Sequence, residues 1–180
     1  MLAAYRRAMD LLYWLYATIA GLALVLIALI IPWGVFTRYA LNSASSWPEP
    51  AAILLSIVLT FFGAAAGYRV GLHMRVSFVR DRLPPLPRRL ADLAAELLMA
   101  LVGIFMAIWG YRLCVDTWNQ SIAEFPSLSV GVTYLPIPLG GVGLILFVIE
   151  RLAFGPPSAA PIEAHSVVSA HGGTGDAWKR

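Results

Sequence analysis

The chain has 180 residues, of which 59% are hydrophobic and 13% are charged, and its formal net charge is +3. Its mean hydropathy of +0.75 is too high for a soluble domain of this size, because such a domain presents a mostly polar surface to water. The single cysteine, Cys114, excludes an intramolecular disulfide and a cysteine-based metal site. The composition therefore predicts a protein whose main solvent is the lipid bilayer.

Apolar segments of about 20 residues, the length that an α-helix needs to cross a bilayer, recur along the chain. The predicted spans cover about 11–36, 51–68, 90–115 and 132–149. The first is too long for the apolar core of a signal peptide, so we expect it to be retained. Pro32 is expected in its last turn, where few backbone hydrogen bonds remain to be lost. We predict an all-α integral membrane protein with a four-span domain over 1–154.

The connections between the spans differ in composition. Between spans two and three, over about 76–89, apolar residues at helical spacing lie beside arginines, which is typical of a short amphipathic segment in the headgroup region. Polar loops are predicted between spans one and two and between spans three and four. The segment 155–180 is rich in Gly, Pro, Ala and Ser without an apolar period, and we expect a disordered tail.

Basic residues predict the orientation in the membrane. Nearly all of the 13 lysines and arginines lie near the N-terminus, in the link between spans two and three, or near the C-terminus. The other two connections contain only Arg38 and Arg112. Because cytoplasmic segments carry the excess of Lys and Arg, we expect both termini in the cytoplasm.

Charged residues near this predicted cytoplasmic surface have two interpretations. Asp92 and Glu96 lie one turn apart at the start of span three, and a pair of intramembrane carboxylates can form a cation or proton site. The alternative is structural, since acids are stabilised near a helix N-terminus and can pair with arginines one turn away. On that interpretation, the cytoplasmic anchors of the chain are Arg69, His73, Arg75, Arg88, Arg89, Asp92 and Glu96.

Small residues indicate where helices pack closely. Gly63 and Gly67 in span two form a small-xxx-small face, which lets two helix backbones approach, and we predict packing against a partner helix there. Gly140, Gly141 and Gly143 form a second slim region in span four.

Three residues form a motif on the predicted outer side: Arg38 after span one, and Trp47 and Glu49 in "SWPEP" before span two. Trp47 fits the aromatic belt of a membrane interface and Glu49 fits a first-turn acid, so a structural and a functional interpretation both stay open. No histidine lies in the middle of a predicted span, where an axial haem ligand would be needed. We expect no catalytic residues, metal site or cofactor, and no nucleic acid as a partner.

The order of these features resembles the small membrane subunit of tripartite ATP-independent periplasmic (TRAP) transporters, the DctQ type. The resemblance covers about 11–154 and rests on Arg38-Tyr39, Trp47-x-Glu49, "FFGAAAGYRVGLHMRV", "VRDRLPPLPRRLADL" and "YLPIPLGG". One departure is Pro50, because the family usually has a second acid directly after the first.

The resemblance implies a subunit of the bacterial inner membrane without catalytic activity. Its partners would be a large multi-span permease subunit, a periplasmic substrate-binding protein and membrane lipids. The large subunit moves an organic acid with a coupling cation, commonly Na⁺, while the small one holds the static scaffold. Two alternatives remain: a stand-alone four-span transporter or channel that uses Asp92 and Glu96, and a membrane anchor or sensor for a soluble partner.

Overall fold

The computed structural model describes residues 2–43, 45–71 and 85–154, apart from the side chains of 2–4, 85, 86, 88 and 89. The elements are α1 (Leu2–Tyr39), α2 (Pro48–Val70), α3 (Pro85–Asp116), β1 (Ser121–Ile122), β2 (Phe125–Ser129), α4 (Val130–Tyr134) and α5 (Pro136–Phe154). Four stretches of the described residues are long and apolar enough to cross a membrane: Tyr5–Tyr39, Pro48–Val70, Leu90–Asp116 and Val130–Phe154. The predicted all-α, four-span fold class is confirmed.

The first two helices are longer than their predicted spans. Because α1 continues to Tyr39, Pro32 lies inside the helix, about two turns before its end, and not in the last turn. Proline removes one backbone hydrogen bond, and the apolar residues that follow keep the helix favourable in lipid. Helix α2 begins with Pro48, where an N–H group has no intrahelical partner. It ends at Gly71, whose φ of 82° lies in the left-handed region that glycine adopts without strain.

The last span is divided into two helices, which the single predicted segment 132–149 did not anticipate. Helix α4 ends at Tyr134 and α5 begins at Pro136. The break occurs here because Pro136 and Pro138 have no N–H group to donate. The backbone N–H of Leu139 donates to the carbonyl of Leu135 at 3.2 Å across the junction.

The loop predicted between spans three and four contains a short antiparallel hairpin. Strands β1 and β2 pair with Ile122 opposite Phe125. Ser129 then caps α4, because its Oγ accepts a hydrogen bond from the Gly131 N–H at 3.1 Å. The hairpin therefore leads the chain directly back into the membrane.

The four long helices pack in the order α1, α2, α5, α3, so that α2 and α5 are the inner pair. In the last span 44% of the most apolar window is buried, against 11% in the first and third spans. The core lies around Tyr16, Phe62 and Phe147. The Tyr16 hydroxyl donates to the Leu139 carbonyl at 2.8 Å and ties α1 to α5.

Glycines let α5 approach its neighbours. A Cβ atom at Gly141 would lie 2.8 Å from the Ala107 nitrogen and 2.8 Å from the Gly103 carbonyl oxygen of α3. A Cβ at Gly140 would lie 3.0 Å from the Phe61 carbonyl oxygen of α2. The slim region predicted in span four is thus a site of close backbone contact with two helices.

Some sequence predictions lie wholly or partly outside the described residues. Residues 76–84 of the predicted amphipathic segment and the predicted tail 155–180 are among them. Residues 85–89 instead form the beginning of α3. Pro85 and Pro87 are tolerated there because N–H groups in the first turn of a helix have no intrahelical acceptor, so that a proline loses no hydrogen bond.

Candidate functional site

Charged residues from all four spans meet at the end of the bundle where α1 and α3 begin and α2 and α5 end. We call these charged residues, together with a tyrosine that donates to one of them, the charge cluster, and its members are Asp10, Tyr68, Arg69, Glu96, Glu150 and Arg151. The up-and-down order of the helices brings these residues together, although up to 141 positions separate them in sequence.

Arg69 is the centre of the cluster. Its Nε lies 2.9 Å from Oε2 of Glu150, and its Nη2 lies 2.9 Å from Oε1 of the same carboxylate. The same Nη2 contacts Oδ1 of Asp10 at 2.7 Å. The side chains of Arg69 and Glu150 are only 8% and 7% exposed, whereas that of Asp10 is 62% exposed. The Arg69–Glu150 pair is therefore a buried, bidentate ion pair, and Asp10 is a more exposed third member.

Aromatic rings surround the guanidinium of Arg69. Its carbon Cζ lies 5.5 Å from the ring centres of both Tyr13 and Phe147. Ring faces attract a cation, but they do not replace the water that burial removes. The charge of Arg69 thus depends on its two carboxylate partners, because an unpaired buried charge is costly.

A second ion pair lies beside the first. Arg151 Nε contacts Glu96 Oε1 at 2.9 Å, and these two side chains are 11% and 12% exposed. The Tyr68 hydroxyl donates to the other oxygen of Glu96, and Arg151 lies over the Tyr68 ring at 5.5 Å. Tyr68 and Arg69 of α2 therefore face Arg151 and Glu150 of α5. Helix α3 joins them through Glu96.

This arrangement differs from the headgroup contact predicted for Arg69. The guanidinium faces inward because α2 packs against α5, which presents Glu150 at the same level. Glu96 likewise meets a base from another helix. Asp92 lies one turn before Glu96 on α3, while His73, Arg75 and the side chains of Arg88 and Arg89 lie outside the described part of the chain.

Four members of the charge cluster, Asp10, Tyr68, Glu150 and Arg151, were not among the predicted site residues, and two of these four are acids. Asp10 lies near the start of span one, and Glu150 lies near the end of span four. The signal that could have identified them is topological: in a four-span protein these positions share one membrane surface with Arg69. Acids at that surface are candidate partners for a base there.

The predicted glycine face of α2 packs within the chain at Gly63. A Cβ added there would lie 3.7 Å from the Cβ of Ala20 on α1, which is an ordinary contact distance. Gly67, one turn later, is half-buried. The tight contacts that such a motif provides occur instead at Gly141 on α5.

At the opposite end of the bundle, a pocket of about 530 Å³ lies between the end of α1 and the start of α2. Its lining includes Arg38 and Glu49, two of the three residues of the predicted outer motif. Trp47, which is 40% exposed, precedes α2 directly. Within the described residues, Arg38 and Glu49 form no ion pair with each other or with another side chain.

Comparison with known proteins identifies a family for most of the chain. A family model described as "Tripartite ATP-independent periplasmic transporters, DctQ component" matches residues 27–154. This region contains the pocket lined by Arg38 and Glu49, and every member of the charge cluster except Asp10.

Several relatives are described as TRAP transporter small permease proteins. The chain is 24% identical over 125 residues to the sialic acid TRAP transporter small permease protein SiaQ of Vibrio cholerae, covering 68% of the chain and 70% of the relative. It is 28% identical over 143 residues to the ectoine TRAP transporter small permease protein TeaB of Halomonas elongata, covering 77% and 74%. It is 29% identical over 110 residues to the C4-dicarboxylate TRAP transporter small permease protein DctQ of Rhodobacter capsulatus, covering 61% and 48%. The chain belongs to the DctQ component family of tripartite ATP-independent periplasmic transporters.

Proposed function

We propose that this small permease subunit packs beside a large permease subunit in the bacterial inner membrane and stabilises the scaffold of that partner. The observation that carries the proposal is the family match over residues 27–154. The charge cluster supports it, because Arg69, Glu96, Glu150 and Arg151 are engaged with one another. Four helices held in fixed register suit a static support better than a moving part.

The transported substrate in this proposal is an organic acid, brought by a periplasmic binding protein and moved with a cation gradient. The names of two relatives, for sialic acid and for C4-dicarboxylates, support this class of substrate. The substrate path and the coupling ion, most simply Na⁺, belong to the large subunit. The chain itself needs no cofactor and has no catalytic activity in this proposal.

Co-purification tests the partnership. An affinity-tagged copy of the chain is co-expressed with the large permease of its own transporter and purified in mild detergent. We expect a multi-span protein to accompany the chain in a fixed ratio through size-exclusion chromatography. Recovery of the chain alone, with the large permease stable in the same membranes, would contradict the proposal.

Both termini lie in the cytoplasm in this proposal, as the distribution of Lys and Arg supports. The native Cys114 should not react with a maleimide in this test, because it is only 3% exposed. A Ser45→Cys variant should react with a membrane-impermeant maleimide in intact cells, and a Ser158→Cys variant only after permeabilisation. The reverse pattern would overturn the orientation.

The rival function is a stand-alone transporter or channel with Asp92 and Glu96 as its ion site. In the structure, the carboxylate of Glu96 already contacts Arg151 and Tyr68, so a cation would have to displace these groups. The rival predicts ion-dependent uptake by the isolated chain in liposomes and its loss in Asp92→Asn or Glu96→Gln. Our proposal predicts no uptake by the isolated chain.

A further inference from the structure

The pocket between the end of α1 and the start of α2 has the polarity profile of a membrane lipid. Along α1, its apolar wall includes Ile27, Ile31 and Val35, which repeat at four-residue intervals on one face of the helix. Its polar lining includes Arg38 and Glu49, at the end of α1 and the start of α2. The pocket is thus apolar toward the middle of the membrane and charged at the surface.

The dimensions of the pocket match one leaflet. The lining extends along α1 from Ile27 to Tyr39, a rise of about 18 Å at 1.5 Å per residue. The hydrocarbon of one leaflet is about 15 Å thick. An acyl chain that follows α1 in this pocket therefore begins at the charged residues and ends near the bilayer centre.

The two charges favour a zwitterionic headgroup. Arg38 and Glu49 are both exposed and line the same pocket without forming an ion pair within the described part of the chain. Ser56, another lining residue, donates its hydroxyl to the Ile53 carbonyl at 2.6 Å and is already satisfied. A phosphate fits beside the guanidinium, and an ammonium group fits beside the carboxylate.

We propose that this pocket binds one phosphatidylethanolamine molecule, with the phosphate at Arg38, the ammonium at Glu49 and an acyl chain along the isoleucines of α1 and α2. An anionic lipid such as phosphatidylglycerol can use Arg38, but it meets like charge at Glu49. The site is independent of the transport function, because it is defined by lipid binding to this chain alone.

Native mass spectrometry tests the site. The purified full-length chain is incubated in mild detergent with equal amounts of dioleoyl phosphatidylethanolamine and dioleoyl phosphatidylglycerol, and the two bound populations are compared. We expect a preference of about fivefold for phosphatidylethanolamine, the ratio that one favourable exposed ion pair supplies. A ratio near one, or no retained lipid, would overturn the proposal.

Variants assign the two charges separately. Glu49→Gln should remove the preference, because it weakens the binding of phosphatidylethanolamine and does not weaken that of phosphatidylglycerol, whereas Arg38→Gln should weaken the binding of both lipids about fivefold. The matched controls are Arg112→Gln at the same end of the bundle and Glu124→Gln in the hairpin, both exposed and outside the pocket lining. Equal effects of the controls and the pocket variants would mean that net charge, and not this pocket, selects the lipid.

A third variant tests the apolar part. Ile53 lines the pocket and is 58% exposed, so Ile53→Trp should fill the space without disturbing the core. We expect it to reduce the binding of both lipids while the unfolding temperature stays unchanged. Unchanged lipid retention would place the bound lipid elsewhere on the helices and contradict the proposal.

Discussion

Replacing Glu150 by glutamine tests the role of the charge cluster in holding the spans together. Glutamine keeps the shape of the side chain and one acceptor oxygen, but it removes the negative charge that two Arg69 nitrogen atoms contact at 2.9 Å. A hydrogen bond to a charged group contributes about 1.5–3 kcal/mol, and removing one member of a buried pair costs about 3–5 kcal/mol. Because Asp10 still holds Arg69 at 2.7 Å, we expect a loss of about 2–3 kcal/mol in the free energy of unfolding.

Thermal unfolding in mild detergent, followed by tryptophan fluorescence, measures this loss. For a chain of this size 1 kcal/mol lowers the midpoint temperature by about 2–4 °C, so we expect Glu150→Gln to lower it by about 4–12 °C. The matched control is Asp10→Asn, because Asp10 is 62% exposed and an exposed pair contributes only about 0–1 kcal/mol. A shift for Glu150→Gln no larger than that of the control would refute the reasoning that burial makes this pair important.

Three further predictions, two of them with a comparison variant, can be checked by thermal unfolding. Gly141→Ala should lower the free energy of unfolding by about 1–3 kcal/mol, since its Cβ would meet two backbone atoms of α3 at 2.8 Å. Its comparison variant is Gly21→Ala, where an added Cβ has nothing within 4 Å and which should be neutral or stabilise the protein by up to about 1 kcal/mol. Tyr16→Phe removes the hydrogen bond to the Leu139 carbonyl and should cost about 0.5–1.5 kcal/mol. Gly71→Ala should cost about 1–2 kcal/mol because φ is 82° there, and Gly71→Asn less, because Asn tolerates the left-handed region. Equal effects of Gly141→Ala and Gly21→Ala would contradict the packing argument. Equal effects of Gly71→Ala and Gly71→Asn would contradict the backbone argument.

The four spans could be predicted because lipid permits few structures. A long apolar segment such as Tyr5–Tyr39 must satisfy its backbone internally, and a helix is the simplest way to do so. The hairpin and the break at Leu135 were missed because they depend on short local contacts. The β2 strand has five residues, which is too few for a clear hydrophobic period. The break depends on how far Pro136 and Pro138 lie from the start of α4.

The two sites could be predicted only in part. Arg38 and Glu49 were singled out because they lie in the segment between spans one and two that resembles the family. Arg69 and Glu96 were singled out because charges next to apolar spans need a partner or the membrane surface. Their partners depend on which helices are neighbours and which faces meet, and no period in the sequence specifies that α2 packs on α5. The inward direction of Arg69 and the apolar pocket beside Arg38 therefore required the three-dimensional arrangement.

Reconstitution into liposomes tests the central claim most directly, namely that this chain supports transport through a partner and does not itself transport. Uptake of a labelled organic acid is measured under an imposed Na⁺ gradient, with its binding protein outside, for the chain alone, the large permease alone and the two together. The account predicts uptake by the complex and none by the chain alone. Substrate uptake by the isolated chain would contradict it.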